Sequence, residues 1–164
     1  MESRAKLFGH AVHPVLIVFP LGLLATSVIF DIVNLITGSP IFSTVAYWLN
    51  ASGLIGGALA APFGWYDWYW IPSGTRAKYI GLMHGLTMVI TLILFFLSWW
   101  LRSPITAEPL PTTLAFLGFA LALFGGWLGG ELVERLGIGV DEGANLNAPS
   151  SLSSASTHGH KSPL

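Results

Sequence analysis

Residues 12–37 read VHPVLIVFPLGLLATSVIFDIVNLIT, with one acidic side chain and no Lys or Arg. A helix needs about 20 mainly apolar residues to cross a bilayer core of about 30 Å, so this run predicts a membrane span. Its apolar stretch exceeds the roughly 7 to 15 residues of a signal-peptide core, and we expect it to stay as an anchor. Three more windows predict spans, and with the first they lie near Val12 to Thr37, Ile41 to Trp65, Lys78 to Leu101 and Pro111 to Leu136.

The composition agrees with an integral membrane protein. Charged residues make up 9% of the chain and hydrophobic residues 53%, whereas ordinary globular domains contain about 25% charged residues. The formal net charge of -1 leaves no basic surface for nucleic acid, so we expect no nucleic-acid partner. The chain contains no cysteine, which excludes disulfides, cysteine nucleophiles and thiolate-bound metals or iron-sulfur clusters within it.

Turn residues and basic residues predict the topology. Gly38-Ser39-Pro40 is a tight turn because proline cannot continue a helix, so the first two spans form an antiparallel hairpin. The aromatic stretch Tyr66 to Thr75 is expected to lie in the membrane interface, and Arg102 to Leu110 to join spans three and four on the opposite side. Six of the seven Lys and Arg residues fall on one side, and the positive-inside rule then places both termini in the cytoplasm.

These observations predict an all-α fold, an integral membrane four-helix bundle that passes several times through the bacterial inner (cytoplasmic) membrane. The transmembrane domain covers residues 1–140. Residues 141–164 are rich in Ser, Gly and Asn, and they are predicted to form a flexible tail because they have too little apolar surface to offset the entropy of ordering. His158 and His160 belong to this tail, and no ligand role is predicted for them.

Small residues recur at every fourth position in two spans, as they do where membrane helices pack closely. They are, in span two, Gly53, Gly57 and Ala61 and, in span four, Gly118, Ala122, Gly126 and Gly130 beside a second register, Gly125 and Gly129. We expect Gly126 to face a neighbouring helix. Such faces indicate packing first, and they would also leave room for a flat macrocycle between helices.

Three histidines are predicted to meet at the cytoplasmic side. His10 and His13 precede or begin span one, three residues apart, and on a helix they would share a face. His84 is about 9 Å inside span three, so His13 is expected nearer the interface. An ionisable side chain inside a membrane is a functional-site hypothesis by default. Two imidazoles on facing helices suit a six-coordinate b-type haem, so the candidate cofactor and metal ligands are His84, His13 and His10, with haem b as the cofactor.

The same side chains have other interpretations. His10 and His13 could bond to lipid headgroups and cap a helix start, and His84 could be satisfied by a neighbouring hydroxyl or by Glu131. A non-haem metal held by these three histidines and Glu131 is a further alternative.

Two other polar groups are predicted to be structural. Asp31 lies inside span one, where with Asn34 and Asn50 it would clamp the hairpin helices, and a proton or quinone site is the alternative. Glu131 and Arg135 are four residues apart and predict an ion pair at the end of span four.

Short motifs mark each span: Gly9-His10-Ala11-Val12-His13-Pro14 with Phe19-Pro20-Leu21-Gly22, then Gly64-Trp65-Tyr66-Asp67 before Ile71-Pro72 and Arg76, then His84, and finally Gly125-Gly126-Trp127-Leu128-Gly129-Gly130-Glu131-Leu132-Val133 with Gly137-Ile138-Gly139-Val140. Together they resemble the bacterial membrane family called domain of unknown function 2231, over nearly all of residues 9–140. The resemblance implies a four-helix membrane protein. Some members carry a fused Rieske iron-sulfur domain, which implies electron transfer. Members often have asparagine four residues after the third-span histidine, where this chain has Met88.

Two functions follow from these observations. The first is a small polytopic inner-membrane protein that binds haem b through His84 and either His13 or His10 and transfers electrons. The second is a non-catalytic structural or assembly subunit of a larger membrane complex or homo-oligomer, in which polar residues only fix packing. The sequence contains no catalytic triad, phosphate loop or zinc-protease motif, so the chain is not expected to be an enzyme by itself. The lipid bilayer is a partner in both cases.

Overall fold

The computed structural model describes residues 1–103 and 108–153, so His158, His160 and loop residues 104–107 lie outside the described residues. Four long helices follow a short two-stranded hairpin. In chain order the elements are β1 (Lys6–Leu7), β2 (His10–Ala11), α1 (Val12–Leu16), α2 (Val18–Thr37), α3 (Pro40–Tyr69), α4 (Arg76–Leu101), α5 (Pro109–Gly130) and a π-helical turn (Glu131–Arg135).

The helical prediction is confirmed, since 72% of the structure is helix. It omitted the β1–β2 hairpin, whose turn places Phe8 at φ 51° and Gly9 at φ 80°. The predicted turn between the first two spans is present. Gly38 ends α2 in the left-handed region, at φ 67°, which glycine adopts without steric cost, and Pro40 begins α3.

Helix α3 is longer than the second predicted span. It continues from the expected end at Trp65 to Tyr69, because aromatic residues do not break a helix and the first proline beyond is Pro72. The predicted interfacial stretch Tyr66 to Thr75 therefore begins as helix. Its aromatic side chains extend from the end of α3 as well as from the loop.

Helix α3 packs between α2 and α4 through small residues. A Cβ at Gly53 would lie 2.6 Å from Leu24 of α2, and one at Gly57 would lie 2.5 Å from Leu92 of α4. Both neighbours therefore approach α3 at positions where a larger residue would not fit. The buried apolar cluster at this crossing consists of Leu24, Val28, Phe95 and Ala115.

Helix α5 packs on α4 through Gly118 of the first predicted register and through Gly125 and Gly129 of the second. Gly125 is buried against Met88, and Gly129 lies against His84. Gly126 is exposed, and a Cβ there would have no neighbour within 4 Å. The prediction that Gly126 faces a neighbouring helix is wrong. Adjacent residues point about 100° apart around a helix, and α4 packs on the Gly125 side.

By length and composition, three helical stretches of the described chain could cross a membrane: Val12–Thr37, Arg76–Leu101 and Pro109–Arg135. The 30-residue helix α3 is not among them. Its glycine, serine, tryptophan and tyrosine residues and Asn50 lower its mean hydropathy below that of the other three. The second predicted span is therefore a long helix whose hydropathy alone does not identify it as a span.

Asp31 has a different partner from the predicted one. Arg102 donates to both carboxylate oxygens of Asp31, at 2.5 and 2.8 Å, and to Ser98 Oγ at 3.0 Å. The Asp31 and Arg102 side chains are each 3% exposed. The prediction that Asn34 and Asn50 form the clamp with Asp31 is wrong, because Arg102 folds back from the end of α4 and satisfies both oxygens.

Candidate functional site

His13 and His84 lie at the end of the helices opposite to Arg102, and we call these the histidine end and the arginine end. His84 lies on α4, and its Nδ1 bonds to the backbone carbonyl of Gly125 at 2.8 Å. A Cβ at Gly129 would lie 3.2 Å from His84 Cε1, so the ring rests on the glycine face of α5. The predicted partners, a hydroxyl or Glu131, are replaced by a backbone carbonyl.

His13 is held in the same way by α3. Its Nδ1 bonds to the backbone carbonyl of Ala60 at 3.0 Å. A Cβ at Gly64 would lie 2.9 Å from His13 Cε1 and 3.0 Å from its Nδ1, so the ring fits only because this position is glycine. Each imidazole thus has a carbonyl acceptor and, four residues further along the same helix, a glycine contact.

A chain of contacts links the two imidazoles. Gly64 contacts His13, and the next residue, Trp65, packs on Gly85, which directly follows His84; a Cβ at Gly85 would lie 3.0 Å from Trp65 Cζ2. The expectation that His13 lies nearer the interface than His84 stays a prediction.

His10 lies apart from this arrangement. It is exposed on strand β2, and a hydrogen bond of 3.2 Å joins its Nε2 to Ser151 Oγ. The helix begins only at Val12, so the expected shared face of His10 and His13 does not form. The positive φ at Gly9 makes the hairpin turn that takes His10 out of the helix.

The division of the chain into a transmembrane domain, residues 1–140, and a tail, residues 141–164, stays a prediction.

The hydrogen bonds determine which nitrogen of each ring is available. Because a carbonyl oxygen can only accept, Nδ1 carries a proton in both His13 and His84, and the neutral rings hold a lone pair on Nε2. Within the described residues, neither Nε2 has a hydrogen-bond partner. A ring whose one N–H is fixed by a carbonyl while the other nitrogen is free is the usual arrangement of a metal-ligating histidine.

Two imidazoles with free Nε2 atoms are a donor set of the kind that b haem uses. Low-spin b haem takes two axial imidazoles, and the histidine end supplies two with free Nε2 atoms. No group of three or more His, Cys, Asp or Glu side chains in the described parts of the chain is placed to hold a metal ion. The alternative of a site made of three histidines and Glu131 has no support in this geometry.

Comparison with known proteins shows which family the chain belongs to. A family model described as predicted membrane protein (DUF2231) matches residues 9–142. The chain belongs to this family. No curated protein and no solved structure matches the chain. The DUF2231 match includes both histidines and both helices that supply their carbonyl partners, so the whole candidate site lies within the family region.

Glu131 of this DUF2231 protein does not pair as predicted. It binds Arg76 of α4 at 3.3 Å, whereas an ion pair with Arg135 was expected. Glu131 begins the π-helical turn Glu131–Arg135, which changes the spacing of side chains that the four-residue rule assumes. The ion pair connects α4 to the end of α5 close to the histidine pair.

Sequence reasoning missed the groups that hold the imidazoles. The carbonyls of Ala60 and Gly125 have no signal of their own, because every residue has one. Gly64 and Gly129 did have a signal, since Gly64 begins a quoted motif and Gly129 belongs to the second small-residue register of span four. Asp67 was also missed, although it ends the motif that begins at Gly64. Its carboxylate binds the N-terminal segment.

Proposed function

We propose that this DUF2231 protein is a four-span protein of the bacterial inner membrane that binds haem b between His13 and His84 and transfers electrons. One observation carries the proposal. Two imidazoles are each fixed through Nδ1 by a carbonyl of an adjacent helix, and each keeps Nε2 without a partner in the described residues. Structural histidines in a membrane would be expected to use both nitrogens, because an unpaired polar atom there is costly.

The four-span arrangement rests on how α3 packs. Helix α3 lies alongside α2 at Gly53 and alongside α4 at Gly57, and both neighbours are apolar enough to span. Its 30 residues correspond to about 45 Å of helix, which exceeds the bilayer core. Its glycines contact the neighbouring helices and its Ser43 and Asn50 are buried, and low hydropathy at such positions does not prevent crossing.

The orientation follows from the basic residues. Those at the histidine end are Arg4, Lys6, Arg76, Lys78 and Arg135. Arg102 at the opposite end is bound to Asp31, so the positive-inside rule places the histidine end and both termini in the cytoplasm. Reporter fusions at the C-terminus and near Thr75 should report cytoplasm, and one near Thr106, outside the described residues, should report the other side. Opposite locations for the C-terminus and Thr75 would overturn the four-span topology.

The side chains have distinct roles in this function. His13 and His84 would hold the haem iron through Nε2, and the carbonyls of Ala60 and Gly125 keep each Nδ1 protonated and each ring oriented. Gly64 and Gly129 allow the rings to lie against their helices. When bound, haem b supplies a one-electron redox centre. No residue of the chain is assigned a catalytic step, so the protein is not proposed to be an enzyme by itself.

An absorption spectrum of the protein purified from haem-replete cells tests this function. We expect a Soret band and, after dithionite reduction, the narrow green band of low-spin b haem. His84→Ala and His13→Ala should each abolish or convert this spectrum, whereas His10→Ala, the matched control, and truncation after Val140 should leave it intact. Haem-free, folded protein would overturn the redox function and favour the structural or assembly subunit. Loss of the spectrum in His10→Ala would overturn the ligand assignment.

A further inference from the structure

One carboxylate attaches the N-terminal segment to the end of α3. Asp67 Oδ1 accepts hydrogen bonds from the backbone N–H of Arg4 at 2.7 Å and of Ala5 at 3.1 Å, and its Oδ2 accepts one from Ser3 Oγ at 2.6 Å. Ser3 is only 6% exposed. Hydrogen bonds to a charged acceptor are stronger than neutral ones, so this attachment is firm. We call residues 3–12 the clasp.

The clasp leads directly to His13. The carbonyl of Ala5 accepts a hydrogen bond of 2.8 Å from the N–H of Val12, the first residue of α1. Between these two residues the chain turns back through the hairpin of β1 and β2. Asp67 therefore fixes Ala5, Ala5 fixes Val12, and His13 is the next residue along the chain.

Helix α1 is short and only partly buried. It contains five residues, none of which is fully buried, and Ile17 joins it to α2. Its further polar attachment is the bond from His13 Nδ1 to Ala60 of α3. Ala60 and Asp67 are seven residues apart on α3, about 10 Å or two turns. One rigid helix thus holds both the ring of His13 and the backbone that precedes it.

We propose that Asp67 is a positioning residue for His13, which acts through the clasp to set where the imidazole lies. The geometry stands without any cofactor, and the consequence for haem rests on the proposed function. His84 needs no such device, because it lies within the uninterrupted 26-residue helix α4.

Hydrogen exchange of the full-length protein in detergent tests the clasp without reference to haem. Asp67→Ala should make amides in residues 4–16 exchange roughly ten- to a hundredfold faster, the factor that charge-assisted hydrogen bonds of this kind imply. Exchange around His84 on α4 should stay unchanged. Glu134→Ala, a change of an exposed carboxylate at the same end, is the matched control and should alter neither region. Unchanged exchange in residues 4–16, or equal acceleration throughout α4, would overturn the proposal.

The haem-bound protein provides the second readout. In Asp67→Ala we expect part of the low-spin spectrum to become high-spin and the low-spin electron paramagnetic resonance signal to shift, because His13 would no longer be held in place. Asp67→Asn keeps an oxygen that can accept from Arg4 and Ala5, and it should restore both signals. An Asp67→Ala protein with an unaltered spectrum and resonance would overturn the positioning role. If the protein binds no haem, the proposed function fails while the exchange experiment still decides the clasp.

Discussion

The polar side chains at the two ends of the helices differ in how fully they are hydrogen-bonded. At the arginine end, Arg102 and Asp31 are 3% exposed, and they bind each other through two hydrogen bonds while Ser98 takes a third. At the histidine end, His13 and His84 use one nitrogen each and leave the other without a partner in the described residues. The first arrangement satisfies both carboxylate oxygens and leaves one buried donor, Arg102 Nε, without a partner in the described residues, whereas the second offers two lone pairs.

This difference distinguishes a structural polar side chain from a functional one inside a membrane. An intramembrane ionisable residue is a functional hypothesis by default, and both ends satisfy that description. The hydrogen bonds distinguish them. A carboxylate whose oxygens are both bound to one guanidinium fixes helices relative to one another, whereas an imidazole with a free Nε2 can still bind a metal.

The largest effect should come from breaking the buried ion pair of Asp31 and Arg102. Arg102→Met leaves the Asp31 carboxylate buried without a partner, and such a loss costs about 3–5 kcal/mol. We expect a large drop in the thermal unfolding midpoint in detergent and low yield. Replacing both residues, Asp31→Leu with Arg102→Met, should recover most of the stability, since no buried charge remains. A single variant as stable as the wild type would show that the pair does not hold the arginine end together.

The next effect tests which glycine register carries the helix contact. Gly125→Leu would drive a side chain into Met88 and Thr87 of α4, and overpacking of this kind costs about 1–3 kcal/mol or more. It would also displace the carbonyl that holds His84. Gly126→Leu, one residue away, points into open space and should be tolerated. Thermal unfolding of the two variants decides between them, and a more destabilising Gly126→Leu would contradict the observed register.

The fold could be predicted from the sequence because its signals are local. Apolar runs and the Gly38 to Pro40 turn are visible in a few residues. The partner of Asp31 could not be predicted, since Arg102 is outside the predicted spans and only tertiary packing brings it back. Gly125 and Gly126 belong to equally regular patterns, and the position of α4 decides which one is buried.

The candidate site was only partly predictable for the same reason. His13 and His84 stood out as ionisable residues near apolar runs. His10 stood out equally, and a three-residue spacing cannot show that a hairpin turn at Gly9 precedes the helix. The carbonyls that fix the two rings belong to Ala60 and Gly125, and any residue type could have supplied them.

A smaller effect should come from substituting the glycines that contact the rings of His13 and His84. Gly64→Ala places a methyl group 2.9 Å from the ring of His13, and Gly129→Ala places one 3.2 Å from His84. Changes in groups that orient a ligating histidine reduce metal affinity roughly 10- to 100-fold, so haem content should fall, more for Gly64→Ala. Gly22→Ala has open space around it and is the control. The ratio of Soret to protein absorbance measures the effect, and equal ratios in all variants would show that the rings are not seated by these glycines.

The smallest effect concerns the ion pairs of Lys6 at the histidine end. They are exposed, unlike the buried pair of Asp31 and Arg102, and both partners are bound, unlike Nε2 of the imidazoles. Lys6 Nζ binds Glu2 at 2.6 Å and Asp141 at 3.3 Å. The Lys6 hydrogen bond lowers the pKa of Glu2 below its ordinary 4.5. The backbone N–H of Gly143, followed by Lys6, lowers the pKa of Asp141 below 3.8. The Glu2 hydrogen bond raises the pKa of Lys6 above 10.5.

The signs of these shifts define the pH dependence. The carboxylate contributions are fully present above the ordinary pKa values and disappear as the pH falls through the lowered ones. The Lys6 contribution is present below 10.5 and disappears as the pH rises through the raised value. Between about pH 5 and pH 10, Lys6→Met should therefore lower the unfolding midpoint by a small, constant amount, because exposed pairs are screened by solvent. The difference from wild type should vanish in strong acid and shrink in high salt. A large or pH-independent difference would mean that solvent screens this ion pair as little as it screens the pair at the arginine end.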